Sequence, residues 1–136
     1  MATYYPIPHS GEVDLFSPLL ASPIFQSRFD LCLPVVTERG LPLTFRRYGP
    51  GDLLQPSLAS SKLLEPSDPR KDVVPRVMLV PLLAFSPCSL YRLGYGGGYY
   101  DKTIQSLERE RGDLVTIGVG LECLRHEGLP VEQGND

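Results

Sequence analysis

Arg92-Leu93-Gly94-Tyr95-Gly96-Gly97-Gly98-Tyr99-Tyr100-Asp101 is the stretch on which the fold of this chain turns. Before it lies the most apolar segment, Val73 to Phe85. Pro75 stands near its start and Pro81 near its end, where a missing N–H is tolerable, so the segment predicts a central strand. After it, Tyr100, Ile104 and Leu107 recur at helical spacing and Gly112 supplies a stop. Leu114 to Val119, rich in β-branched residues, predicts the next strand. Strand, loop, helix, strand is a βαβ unit, and such units imply a parallel sheet covered by helices. The expectation is therefore an α/β fold, a mostly parallel sheet flanked by helices in a single three-layer domain over residues 1–136.

Working outward, Leu15, Leu19 and Leu20 predict a helix within 15–27 that Pro23 ends or kinks. Phe29 to Val36 has the apolar density of a buried strand, and Leu43 to Tyr48 alternates as a more exposed strand does. Gly49-Pro50-Gly51-Asp52 turns the chain. Gln55 to Asp72, broken by Pro56, Pro66 and Pro69, predicts an irregular connection. The opening stretch to Asp14 reads as a loop or the tail of a strand. Fourteen prolines and thirteen glycines among 136 residues fit short elements joined by fixed turns and exclude long coiled coils.

The net charge of -3 leaves no basic footprint for nucleic acid. Cys32, Cys88 and Cys123 are too widely spaced for a zinc cluster and odd in number for a disulfide framework, which fits a reducing compartment. The N-terminus has no apolar signal region, and no run is long enough to cross a bilayer. A soluble, cytoplasmic protein without a membrane or nucleic-acid partner is expected.

Four glycines within residues 94–98 let backbone N–H groups point into one concavity, and the helix that follows adds its positive end. That is a cradle for an anion, and Arg92 at its entrance can fork onto a phosphate. Asp101 has two compatible readings. It caps the helix, or it holds a Mg²⁺ that bridges phosphates. A dinucleotide fingerprint fails at Tyr99 and a Walker loop lacks its Gly-Lys-Ser/Thr, while an RNA-recognition strand has the residue types at the wrong spacing. Tyr95, Tyr99 and Tyr100 either pack or offer a ring to a flat heterocycle. Glu12, on a stiff segment after Pro6, Pro8 and Gly11, is either solvated or able to accept N–H groups from a heterocycle. His9 and His126 have no partner pattern and read as surface residues.

The ten residues Arg92 to Asp101 resemble the signature of the 5-formyltetrahydrofolate cyclo-ligase family. The resemblance extends through Tyr5-Pro6, Glu12-Val13-Asp14, Leu33-Pro34-Val35-Val36, Leu43-Thr44-Phe45-Arg46, Leu64-Glu65-Pro66 and Val80-Pro81-Leu82-Leu83-Ala84-Phe85. It implies a ligase of one-carbon metabolism that uses ATP and Mg²⁺ to close 5-formyltetrahydrofolate to 5,10-methenyltetrahydrofolate, with release of ADP and phosphate. The residues carried over for ATP are Arg92, Leu93, Gly94, Tyr95, Gly96, Gly97, Gly98, Tyr99 and Tyr100. Those for the folate are Ile7, Glu12, Tyr95, Gly96, Gly97, Gly98 and Tyr99. Arg92, Tyr99 and Asp101 are implied as catalytic, and Asp101 with Asp136 as metal ligands. The resemblance also implies a monomer truncated at both ends, without the family's N-terminal helix, whose Lys and Arg contact ATP, and without the final segment. The alternative reading is a catalytically impaired homologue that keeps the fold and weak nucleotide or folate binding.

Overall fold

The computed structural model describes residues 1–7, 10, 12–94 and 96–129. Near the start, helix α1 (Phe16–Ala21) is followed at once by α2 (Pro23–Arg28). The single helix expected over 15–27 is thus broken at Pro23. Proline takes the first position of α2, where its missing N–H has no helical partner to lose, and the Ser22 side chain accepts from Phe25 N–H at 3.2 Å.

The strands are β1 (Cys32–Val35), β2 (Thr44–Arg47), β3 (Leu54–Pro56), β4 (Leu64–Pro66), β5 (Asp72–Val73), β6 (Val77–Pro81), β7 (Ala84–Phe85) and β8 (Arg92–Leu93). Helix α3 (Tyr99–Arg111) and β9 (Val115–Val119) close the regular structure. β6 and β9 pair in parallel, Val77 opposite Val115 through Pro81 opposite Val119, with α3 between them in sequence. This is the expected βαβ unit.

The N-terminal residues join this unit to the rest. Ala2 forms parallel bridges to both Cys32 and Met78. Its N–H donates to Val77 O at 2.7 Å and its carbonyl accepts from Leu79 at 2.9 Å. On the other side Thr3 donates to Cys32 O and Cys32 to Met1 O, both at 3.0 Å. The tail-of-a-strand reading of the opening stretch is therefore right for its first residues, and the lateral order is β9, β6, residues 1–3, β1, β2, β5.

The sheet is mixed rather than mostly parallel. β1 with β2, β2 with β5, β3 with β4 and β7 with β8 all pair antiparallel. Connection length decides this, because a parallel return needs a crossover of a dozen or more residues, and the links 36–43 and 86–91 are too short for one. The connection expected to be irregular over 55–72 holds the β3–β4 hairpin, closed by Ser57 N–H on Leu63 O at 2.9 Å. Among the described residues each strand of this two-stranded ribbon is paired on one side only, so Pro56 and Pro66 fit without costing the ladder.

Alternation along β1 sorts the two faces. Cys32 packs with Phe45, Met78, Val80 and Leu107, and α3 lays Tyr100, Ile104 and Leu107 on that side as the helical spacing predicts. Leu31 and Leu33 point to the opposite side, where Phe16 and Phe25 of α1 and α2 meet them. Helices thus cover both faces.

Candidate functional site

Residues 1–3, β1, β6 and β9 run parallel, so the segments that follow them leave at one end of the sheet. Those segments are 4–14, 36–43, 82–98 and 120–129. In open α/β sheets the crevice beyond the carboxyl ends of parallel strands is where ligands bind. The glycine-rich loop and the Glu12 loop both belong to this end.

β8 carries Arg92 into the loop by pairing with β7, Phe85 opposite Arg92. The guanidinium donates from Nη2 to Asp101 Oδ1 at 2.6 Å and lies over the Tyr100 ring, 5.9 Å from its centroid. Gly94 permits this, since a Cβ there would stand 2.9 Å from Arg92 Nη1. Gly98 is the N-cap of α3 in the left-handed region (φ 68°), a conformation that favours glycine, and it brings no side chain of its own to the helix end. Asp101 is in the first turn and not at the cap position, so its carboxylate answers Arg92 and the helix end together. Arg92 is largely enclosed at 17% side-chain exposure while Asp101 stays open at 75%.

Of the residues expected to line nucleotide, Arg92, Gly94, Gly98, Tyr99 and Tyr100 are half-buried around the loop, and Leu93, Gly96 and Gly97 are exposed. Ile7 and Glu12 are brought together, Ile7 N–H donating to Glu12 Oε2 at 2.8 Å. Tyr95, His9 and Asp136 lie outside the described residues. Among those described, no group of three or more His, Cys, Asp or Glu could hold a metal by itself.

Two supports of the site were not anticipated. Thr103, fully buried, donates from Oγ1 to Tyr99 O at 2.5 Å and accepts Leu43 N–H at 2.8 Å. Lys102 Nζ donates to Gly40 O at 2.8 Å. Both tie the start of α3 to the link after β1. The only signal in sequence was a threonine four residues after Tyr99, able to bond back one helical turn. Thr103→Val is expected to leave Leu43 N–H buried without a partner and to cost about 1–3 kcal/mol, whereas Thr103→Ser keeps both bonds. Urea unfolding checks this, and equal midpoints for the valine variant and the parent would rule it out.

Beneath the Glu12 loop, the buried Tyr4 hydroxyl donates to Val13 O at 2.5 Å. Burial, then the negative charges of Glu12 and Asp14, push its phenol from 10.0 to about 12. A phenol raised in the folded state stabilises fully below its unfolded value and loses that contribution as pH rises toward 12. Tyr4→Phe should therefore weaken the loss of stability between roughly pH 10 and 12. Unfolding midpoints followed against pH test it, and identical alkaline slopes for both proteins would reject it.

Fold and loop together define an α/β protein whose glycine-rich turn opens onto a helix N-terminus, with an arginine and an aspartate across it, an arrangement suited to an anion. Its family is identified by a match of residues 13–136 to the family described as 5-formyltetrahydrofolate cyclo-ligase, and the chain belongs to that family. It is 37% identical over 76 residues to the 5-formyltetrahydrofolate cyclo-ligase of Escherichia coli K12, a match covering 53% of this chain and 40% of that protein. The Haemophilus influenzae protein of the same name is 36% identical over 56 residues, covering 41% and 28%. The NMR structure of Aquifex aeolicus 5,10-methenyltetrahydrofolate synthetase superposes with a TM-score of 0.72 at 30% identity, covering 99% of this chain and 63% of that one. The chain thus spans less than two thirds of the relatives it matches. No helix among the described residues is long and apolar enough to cross a membrane.

Proposed function

We propose that the chain carries out ATP- and Mg²⁺-dependent closure of 5-formyltetrahydrofolate to 5,10-methenyltetrahydrofolate. The observation that supports this most is the Arg92–Asp101 pair, 2.6 Å apart across a glycine-rich turn at the head of a 13-residue helix. The formyl oxygen is a poor leaving group as it stands. Transfer of the γ-phosphoryl of ATP to that oxygen releases ADP and makes it a phosphate ester; N10 then attacks the carbon, and phosphate leaves with the oxygen. Such a transfer asks the protein for position and charge rather than covalent help.

In this reading the loop residues Gly94, Gly96, Gly97 and Gly98 and the first turn of α3 take the phosphates through their N–H groups, with Leu93, Tyr95, Tyr99 and Tyr100 beside them. Arg92 exchanges its carboxylate partner for the polyphosphate, retaining a charge-assisted bond throughout. Tyr99 with Tyr95 and the loop backbone meets the folate, and Glu12, held by Ile7 N–H at 2.8 Å, keeps one carboxylate oxygen for the N–H groups of the pterin. Mg²⁺ commonly takes one or two carboxylates and completes its shell with phosphate and water, and the exposed Asp101 fits that donor set, with Asp136 as the second carboxylate. Bound there, the ion would neutralise charge developing on the transferred group.

The test is methenyltetrahydrofolate formation by absorbance, with ATP present and withheld. ATP-dependent product from the 136-residue chain supports the ligase. No product at high protein concentration removes it and leaves the second reading, a homologue with fold and weak ligand binding but impaired turnover.

A further inference from the structure

We propose that Tyr4 is a positioning residue of the candidate site, whose buried hydroxyl clamps the backbone beside Glu12 and so holds that carboxylate ready for the N–H groups of the folate. The identity of the ligand rests on the ligase reading, whereas the clamp rests on hydrogen bonds within this chain. Tyr4 is 3% exposed and offers a ligand no surface of its own. Whatever it does for binding must pass through another residue.

The strip of residues 1–3 ends at Thr3, whose N–H donates to Cys32 O at 3.0 Å, and the chain then leaves the sheet. It comes back where the Tyr4 hydroxyl donates to Val13 O at 2.5 Å, which closes the segment into a loop. Inside that loop a second set of bonds gathers around Glu12. Ile7 N–H donates to Glu12 Oε2 at 2.8 Å, Ser10 Oγ donates to Ile7 O at 2.7 Å, and Glu12 N–H donates to Ser10 Oγ at 3.3 Å. Past Val13, the Asp14 carboxylate accepts Ser17 N–H at 3.0 Å and the Ser17 hydroxyl at 2.7 Å, tying the exit of the loop to the start of α1. Glu12 is thus held on one side through its own carboxylate and on the other through Val13, which Tyr4 joins to the centre of the sheet.

The two kinds of bond are unequal. Those around Glu12 link residues no more than five apart in a part-buried loop, where local opening is easy. The Tyr4 bond spans nine residues and comes from a ring packed out of solvent. Burial, then the charges of Glu12 and Asp14, push its phenol to about 12, so the hydroxyl remains a donor throughout the neutral range. That both carboxylates act on it also places it beneath the group it serves. A loop ordered in advance spares the ligand the entropy of ordering it, so loss of the clamp is felt as weaker folate binding.

Calorimetry on the full chain with 5-formyltetrahydrofolate and no nucleotide tests this. Tyr4→Phe keeps the ring and removes the hydroxyl, and it should raise the folate Kd about 10-fold while ATP affinity stays that of the parent. Glu12→Ala should raise the folate Kd at least as far, and the double variant no further than Glu12→Ala alone, since the hydroxyl acts through that carboxylate. A second readout needs no ligand. Hydrogen exchange at the Ile7 amide should quicken about 10-fold in Tyr4→Phe, with the Leu79 amide, bonded to Ala2 O, unchanged. Circular dichroism confirms that each variant is folded. Losses that add in the double variant overturn the proposal, as does an Ile7 amide that exchanges alike in parent and Tyr4→Phe. Equal folate binding by parent and Tyr4→Phe overturns it while leaving the ligase reading in place, and a parent that binds no folate overturns both.

Discussion

On the proposed ligase reading, Asp101→Ala is expected to lower ATP-dependent product formation by on the order of 100- to 1,000-fold, the scale on which loss of one preorganised electrostatic partner is felt in a transition state. Stability should scarcely change. The carboxylate is 75% exposed, and exposed ion pairs contribute about 0–1 kcal/mol. Arg92, by contrast, loses a partner but keeps its place over Tyr100. The signature is thus a collapse in turnover at an unchanged urea midpoint, together with loss of the Mg²⁺ dependence of nucleotide affinity. Turnover within threefold of the parent would remove Asp101 from the metal role, and a matching fall in urea midpoint would reassign it to structure.

The second large effect concerns the core under the site. Leu33, with no exposed surface, lies on β1 and packs toward Phe16 and Phe25. Leu33→Ala should cost about 2–5 kcal/mol, the sum of lost transfer energy and a cavity that short helices on a sheet cannot fully collapse. A urea titration gives the number directly. A change below about 1 kcal/mol would mean that α1 and α2 move in to fill the gap. Because β1 also anchors Ala2 and through it β6, this variant should loosen the sheet end that carries the Glu12 loop.

How far these features can be read from sequence follows from how local their causes are. The βαβ unit was legible because an apolar run, a glycine turn, a helical face of Tyr100, Ile104 and Leu107 and a stop at Gly112 follow one another within a short stretch. The break at Pro23 was legible for the same reason. The antiparallel pairing of β1 and β2 had a sequence signal in the short link 36–43, but pattern alone does not give strand direction. The β3–β4 hairpin was hidden because prolines that argue against a central strand are harmless on a two-stranded ribbon. In the site, the loop and its two charges were legible as chemistry, whereas the contact of Ile7 with Glu12 and the tie from Thr103 to Leu43 depend on how distant segments meet. Buried Glu65 is of the same kind, accepting Val36 N–H at 3.1 Å to pin the hairpin to the end of β1.

The stitching of residues 1–3 between β1 and β6 has a consequence for synthesis. Ala2 leaves the ribosome more than seventy residues before Met78 and Leu79, which complete one side of its pairing. At elongation rates of about 5–20 residues per second, that is a wait of roughly 4–15 s. During this interval β1 and β2 can already form their antiparallel pair, yet β6 is not there to complete the other side of the strip formed by residues 1–3. Nascent chains of this protein therefore carry a half-built, adhesive sheet for seconds, and a chaperone that shields extended segments should raise the yield more than one that acts on the finished fold.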